Sequence, residues 1–131
     1  MKISLIGLGK MGSNLALNLK DHGNHVIGFD VLEESRKRME DEGIETVGNL
    51  NELLSKMETP RVMWLMLPSG KPTDETIQKL SEDLSPGDIL IDAGNSRYKD
   101  SIRHAQQLNE KGILFLDCGT SGGTSGARDG A

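Results

Sequence analysis

Ile3-Ser4-Leu5-Ile6-Gly7-Leu8-Gly9-Lys10-Met11-Gly12 opens the chain, and its reading decides the fold. A short apolar run drops straight into Gly-x-Gly-x-x-Gly. Met11, Leu15 and Leu19 then recur at helical spacing until Gly23 stops the helix. The motif carries mechanism in this strand-to-helix context. Gly7 permits the tight turn, Gly9 lets backbone approach a pyrophosphate with no side chain in the way, and Gly12 lets the helix pack closely on the strand. The free N–H groups and partial positive charge of the helix's first turn would hold the phosphates. Gly7, Leu8, Gly9, Lys10, Met11 and Gly12 are therefore the candidate cofactor loop. Within it Lys10 reads as an exposed lysine able to help neutralise phosphate, and Met11 as packing.

Asp30 supplies the acidic partner. It ends the second apolar run, eighteen residues past Gly12, where a dinucleotide fold places a carboxylate on the adenosine ribose. A carboxylate there accepts hydrogen bonds from both ribose hydroxyls and repels a 2′-phosphate. Val31 and Leu32 bring no cation to offset it. The expected cofactor is NAD, with NADP less favoured. Arg36, Lys37 and Arg38 contest that reading, because a basic helix face could reach a phosphate. With Glu33, Glu34 and Glu40 around them they read as a solvated face. A methyltransferase also has a glycine-rich first turn and an acid ending its second strand; Gly12, opening a helix, argues against it.

Outward from this unit, strand-like runs alternate with helical patterns. Strands are expected over 2–6, 25–30, 44–47, 61–67, 88–92 and 113–117. Helices are expected over Glu33–Glu42, Leu50–Met57, Pro72–Leu84 with Ile77, Leu80 and Leu84 inward, and Ser101–Lys111 with Ile102, Ala105 and Leu108 inward. The continuous apolar run Val62-Met63-Trp64-Leu65-Met66-Leu67 indicates a strand covered on both faces, hence a parallel sheet. Repeated βα units with right-handed crossovers give the fold class: α/β, a doubly wound, mainly parallel Rossmann-type sheet. Residues 1–131 make one dinucleotide-binding domain. The segment 119–131, rich in Gly, Ser and Thr, has no hydrophobic period and reads as a functional loop.

The composition agrees. Apolar residues make 35% of the 131 and aromatics only 3%, so the core must be aliphatic. A net charge of −5 and the absence of any basic run argue against a nucleic-acid partner. Cys118 is the single cysteine, which excludes an internal disulfide and fits a reducing compartment. Residues 1–6 read as a strand rather than a signal peptide, and no apolar run approaches membrane-spanning length. The expectation is a cytoplasmic protein with no membrane partner. His104 has no Cys or second His at ligand spacing, so no metal site is expected.

In an open α/β sheet, ligands sit outside the carboxyl ends of the strands. There the chain reads Pro68-Ser69-Gly70, Ala93-Gly94-Asn95-Ser96 and Gly119-Thr120-Ser121-Gly122-Gly123. Any one is an ordinary turn; three at consecutive strand ends mark a ligand-binding edge. These residues carry a family resemblance. The run from Gly7 to Leu19, Asp92-Ala93-Gly94-Asn95-Ser96, and Ser121-Gly122-Gly123 with Gly126-Ala127 resemble the N-terminal coenzyme domain of 6-phosphogluconate dehydrogenase. The resemblance runs along essentially the whole chain. Gly-Asn-Ser after the fifth strand separates that family from the 3-hydroxyisobutyrate-type dehydrogenases, which usually carry Ser-Thr there. Ser-Gly-Gly is shared across the β-hydroxyacid dehydrogenases.

The resemblance implies that Asn95 lies between nicotinamide and substrate, that Ser121, Gly122 and Gly123 hold a sugar-acid phosphate, and that Leu67, Pro68 and Ser69 line the cofactor. Members using NADP usually show Asn-Arg-Thr where this chain has Asp30-Val31-Leu32, and Val-Lys-Ala-Gly where it has Leu67-Pro68-Ser69-Gly70. Both departures resemble the shorter, NAD-preferring branch, while Thr124-Ser125-Gly126-Ala127 is less typical of it. The implied activity is oxidative decarboxylation of 6-phosphogluconate to a pentulose phosphate by a homo-oligomeric enzyme. Its general base and acid, a lysine and a glutamate, would lie in a helical part outside this chain. Lys71 and Lys99 read as exposed helix-start residues, and no catalytic residue is assigned. Alone, the chain is expected to bind NAD and turn over nothing. The competing readings are a 3-hydroxyisobutyrate-type dehydrogenase and a non-catalytic dinucleotide-binding module.

Overall fold

A computed structural model describes residues 2–67, 71–93 and 98–117, with residues 98–101 and 117 described by their backbone. In chain order the elements are β1 (Lys2–Ile6), α1 (Lys10–Asp21), β2 (His25–Phe29), α2 (Glu33–Asp41), β3 (Glu45–Val47) and α3 (Leu50–Ser55). They continue as β4 (Val62–Leu65), α4 (Lys71–Asp83), β5 (Ile89–Asp92), α5 (Tyr98–Asn109) and β6 (Leu114–Asp117). The strands form one sheet in the order β3-β2-β1-β4-β5-β6, and every pairing is parallel. This is the doubly wound order, whose direction of travel reverses between β1 and β4.

Each expected strand is present, β1 over its expected residues and the others trimmed at one or both ends. β4 stops at Leu65, short of the expected Leu67. Its neighbour β1 runs out at Ile6, paired with Leu65, and the last bond is Met66 N–H to the Ile6 carbonyl. Gly7 then turns the chain out of the β1–β4 ladder. α5 begins at Tyr98, three residues before its expected start.

Alternation along β1 divides the core. Ile6 joins a larger cluster with Ile27, Leu65, Ile77, Leu80 and Leu108, all buried. Leu5 faces the other way, joining Leu8, Ala16, Val26, Met39 and Ile44. Ile77 and Leu80 on α4, and Leu84 just past its end, are buried, as their spacing predicts.

Two helix faces differ from expectation. On α1 the buried residues are Gly12, Ser13, Ala16 and Asn18, while Leu15 and Leu19 are half-buried at the margins. The helix lies so close to the sheet that small residues face it and the leucines flank the contact. On α5, Ile102 is 42% exposed, and His104 at 2% shares the buried face with Leu108. His104 earns that position through partners outside its own helix. Its Nε2 lies 2.8 Å from Asp74 on α4, and its ring meets Phe115 of β6 edge-on at 5.9 Å.

Burial raises the Asp74 carboxyl, but hydrogen bonds from Arg103 and His104 outweigh it and hold the group below the usual carboxylate range. A depressed folded-state value gives stability that is present above the unfolded-state value and lost as pH falls through the folded one. Asp74 is 36% exposed, so the contribution is screened to about 0.5 kcal/mol. Asp74→Asn is therefore expected to flatten the acid limb of the stability curve below about pH 4. Urea midpoints measured from neutral pH downward check this; an unchanged acid limb would exclude Asp74 as a contributor.

Candidate functional site

The chain leaves β1 through Gly7 at φ +103°, where a Cβ would stand 2.5 Å from the Met66 carbonyl oxygen. A Cβ at Gly12 would stand 1.9 Å from the Gly7 oxygen. The turn and the first turn of α1 therefore touch at a distance no side chain permits. Gly9 is the opposite case: a Cβ there would meet nothing within 4 Å. Gly9 is the N-cap of α1, with no side-chain cap and no acid in the first turn. By contrast α2, α3 and α4 each carry an acid in that turn. The positive end of α1 thus faces open space at the β1–β4 switch point, and its donors fit a diphosphate.

Asp30, just past β2, faces this loop. Its Oδ2 accepts from the Leu8 N–H at 2.8 Å and its Oδ1 from the Leu32 N–H at 2.9 Å. The carboxylate is half-buried and ties the glycine loop to the β2–α2 turn. Leu8 itself is fully buried, with its side chain seated over Gly28. The Leu8 carbonyl accepts twice more, from Ser13 Oγ at 2.8 Å and from Arg38 Nη2 at 3.0 Å. The two peptide units that flank Leu8 are therefore held by side chains from the β2–α2 turn, α1 and α2.

Arg38 adds a contact to the reading of residues 36–38 as a solvated face: it is exposed, and its guanidinium also reaches the Leu8 carbonyl. Lys37 faces solvent, paired with Glu33 at 3.3 Å. Arg38 crosses a cleft of about 470 Å³ between α1 and α2, lined also by Lys10, Ser13 and Met39. Arg36 turns toward Gly48, and its buried Nε has no hydrogen-bond partner among the described residues. No local pattern in the sequence signals the Arg38 contact, because its partner is a backbone carbonyl thirty residues earlier.

Lys10 is exposed and Met11 half-buried. Leu67 packs half-buried against the larger cluster. Pro68, Ser69, Asn95, Ser121, Gly122, Gly123 and Cys118 lie outside the described residues. β5 and β6 end at Asp92 and Asp117, in register with each other, at the same edge of the sheet as the glycine loop. Lys71 is exposed and pairs with Glu75 at 3.7 Å. Among the described residues no three His, Cys, Asp or Glu side chains are grouped to hold a metal, and no helix is long and apolar enough to cross a membrane.

Residues 2–131 match the family model described as the NAD binding domain of 6-phosphogluconate dehydrogenase. Over all 131 residues the chain is 47% identical to YqeC of Bacillus subtilis (strain 168), provisionally named a 6-phosphogluconate dehydrogenase, and covers 44% of it. It is 39% identical to the same organism's NAD(+)-dependent, decarboxylating 6-phosphogluconate dehydrogenase, over 98% of this chain and 28% of that protein. A solved structure of Plasmodium falciparum 6-phosphogluconate dehydrogenase, described apo and in complex with its cofactor NADP+ and its substrate 6-phosphogluconate, superposes with a TM-score of 0.88. That match has 34% identity and covers 98% of this chain and 29% of the other. The chain thus spans less than half the length of these relatives.

Proposed function

The chain belongs to the family of 6-phosphogluconate dehydrogenase coenzyme domains, and from that premise we propose that it binds NAD in preference to NADP for the oxidative decarboxylation of 6-phosphogluconate. The observation that carries the preference is Asp30. Its carboxylate stands at the end of β2, beside the glycine loop, where the adenosine ribose of a bound dinucleotide would lie. Val31 and Leu32, 81% and 61% exposed, offer a 2′-phosphate no positive charge. Of the three cations on α2, Lys37 is paired with Glu33, Arg38 is turned to the Leu8 carbonyl, and Arg36 points toward Gly48. A 2′-phosphate would meet a carboxylate with no cation aimed at it.

When bound, the nicotinamide supplies the hydride acceptor. The chain's own part is to bind and orient: the α1 N-terminus holds the diphosphate, and Asp30 accepts from the ribose hydroxyls. By the family resemblance, Leu67, Pro68, Ser69 and Asn95 would line the cofactor, and Asn95, Ser121, Gly122 and Gly123 would hold the sugar acid. No residue of this chain is assigned as general base or acid, so hydride transfer is not expected from residues 1–131 alone.

Titration of the chain with NAD and with NADP, followed by calorimetry or Trp64 fluorescence, tests this. NAD is expected to bind at least about tenfold tighter, a difference of about 1.4 kcal/mol. Asp30→Ala is expected to weaken NAD and remove most of the discrimination. Equal or tighter NADP binding by the unaltered chain would refute the cofactor preference while leaving the fold and family untouched.

A further inference from the structure

We infer that Arg38 is a positioning residue for the dinucleotide's diphosphate, acting through the Leu8 carbonyl; this rests on the dinucleotide-binding reading above. The peptide joining Leu8 to Gly9 is planar and trans, so its carbonyl and its N–H point in opposite directions. Ser13 Oγ at 2.8 Å and Arg38 Nη2 at 3.0 Å both donate to that carbonyl. Fixing the oxygen on the α1–α2 side fixes the Gly9 N–H on the other. Gly9 is the N-cap of α1, and the space beyond its Cα is open.

Two effects follow from one contact. The first is orientation. Gly9 has no side chain to restrict its backbone, and a rotated peptide would turn the Leu8 oxygen, a partial negative charge, toward the incoming phosphates. Asp30 restrains the Leu8 N–H at 2.8 Å, which fixes the preceding peptide and leaves this one to Ser13 and Arg38. The second is polarisation. A hydrogen bond from a cation to a peptide oxygen strengthens the N–H of the same peptide as a donor, and a hydroxyl on the same oxygen adds to it. The guanidinium also brings a full positive charge to the back of a loop whose α1 first turn holds no acid. Arg38 thus serves an anion it does not touch. Lysine is a poor replacement, since a single ammonium lacks the planar fork that reaches across the α1–α2 cleft.

The test compares the unaltered chain with Arg38→Met, Arg38→Lys, Ser13→Ala and the Ser13→Ala/Arg38→Met double variant. Calorimetry measures NAD, ADP-ribose and AMP, the last having one phosphate and no diphosphate bridge. Arg38→Met is expected to weaken NAD and ADP-ribose about tenfold and AMP less than threefold, with Arg38→Lys recovering part of the loss. Because both donors share one oxygen, the double variant should lose less than the product of the single losses. A ligand-free readout accompanies this: the Gly9 amide proton should move upfield in Arg38→Met, reporting a less polarised N–H.

Equal losses for AMP and NAD, or an unmoved Gly9 resonance, would overturn the inference by reducing Arg38 to a packing or surface role. Failure of the unaltered chain to bind ADP-ribose would overturn the dinucleotide reading itself, and this inference with it. Binding by the unaltered chain that Arg38→Met leaves unchanged would overturn the inference alone.

Discussion

Gly12→Ala is expected to destabilise the chain by about 3 kcal/mol or more and to abolish dinucleotide binding in what remains folded. The added methyl would lie 1.9 Å from the Gly7 oxygen and 2.9 Å from its carbonyl carbon. Both are backbone atoms, so no rotamer change relieves the contact. Nor can the turn yield cheaply. Gly7 N–H donates to the Phe29 carbonyl at 2.8 Å, tying the turn to β2, and a Cβ there is excluded by Met66. On the other side, Ser13 N–H donates to the Gly9 carbonyl at 2.8 Å, the first bond of α1. Relief requires α1 to lift from the sheet, which uncovers Ala16 and Leu8 and moves the helix's positive end away from the ligand.

Gly9→Ala is the control that separates stability from binding. Its methyl meets nothing within 4 Å, so urea unfolding should change by less than about 1 kcal/mol. The same methyl would occupy the space a phosphate must enter, and NAD affinity should fall sharply. Unfolding curves with parallel NAD titrations distinguish the two variants. If Gly12→Ala retained the stability of the unaltered chain, α1 would have room to slide and the close-packing argument would be wrong.

Much of this was legible in the sequence, for a reason specific to the fold. Each βα unit carries its own punctuation: an apolar run, a turn, a periodic helix, a glycine or proline stop. The six runs therefore appear where expected, and parallel pairing follows from strands apolar on both faces. Gly7, Gly9 and Gly12 were legible as a loop because their spacing is local. What local spacing cannot carry is a partner far along the chain. His104 takes the place on the α5 buried face that Ile102 was expected to share, because Asp74 and Phe115 receive its ring, and both belong to other elements. Arg38, exposed as expected, also reaches the Leu8 carbonyl, thirty residues earlier in the chain. On α1 the leucines pack at the margin of the contact, since close approach to a sheet selects for small residues, and periodicity counts only large ones. What local spacing leaves out is either a long-range polar partner or a contact too close for a large side chain.

Asp88 belongs to the same group, and the second large effect is expected there. Sequence alone made it the first residue of a strand; in the structure its side chain is completely buried, just ahead of β5. Oδ1 accepts from the Arg61 N–H at 2.7 Å, and Oδ2 accepts from the Ser85 N–H at 2.8 Å and Arg61 Nη1 at 3.2 Å. One carboxylate thus joins the entry to β4, the turn after α4 and the entry to β5. Asp88→Ala would leave two backbone donors and a guanidinium that is 18% exposed without their acceptor. Breaking a buried pair from one side costs about 3–5 kcal/mol, because the remaining charge stays desolvated. Asp88→Asn should also be costly, since an amide nitrogen would turn one lone-pair site into a donor facing donors. Adding Arg61→Met to Asp88→Ala should recover part of the loss by removing the stranded charge, while the two N–H groups remain unpaired. The site lies at the amino ends of the strands, across the sheet from the glycine loop. NAD affinity of the folded fraction should therefore be unaltered in all three variants. Urea unfolding with and without saturating NAD measures both quantities, and an Asp88→Ala chain within about 1 kcal/mol of the unaltered one would mean that water replaces the carboxylate at no net cost.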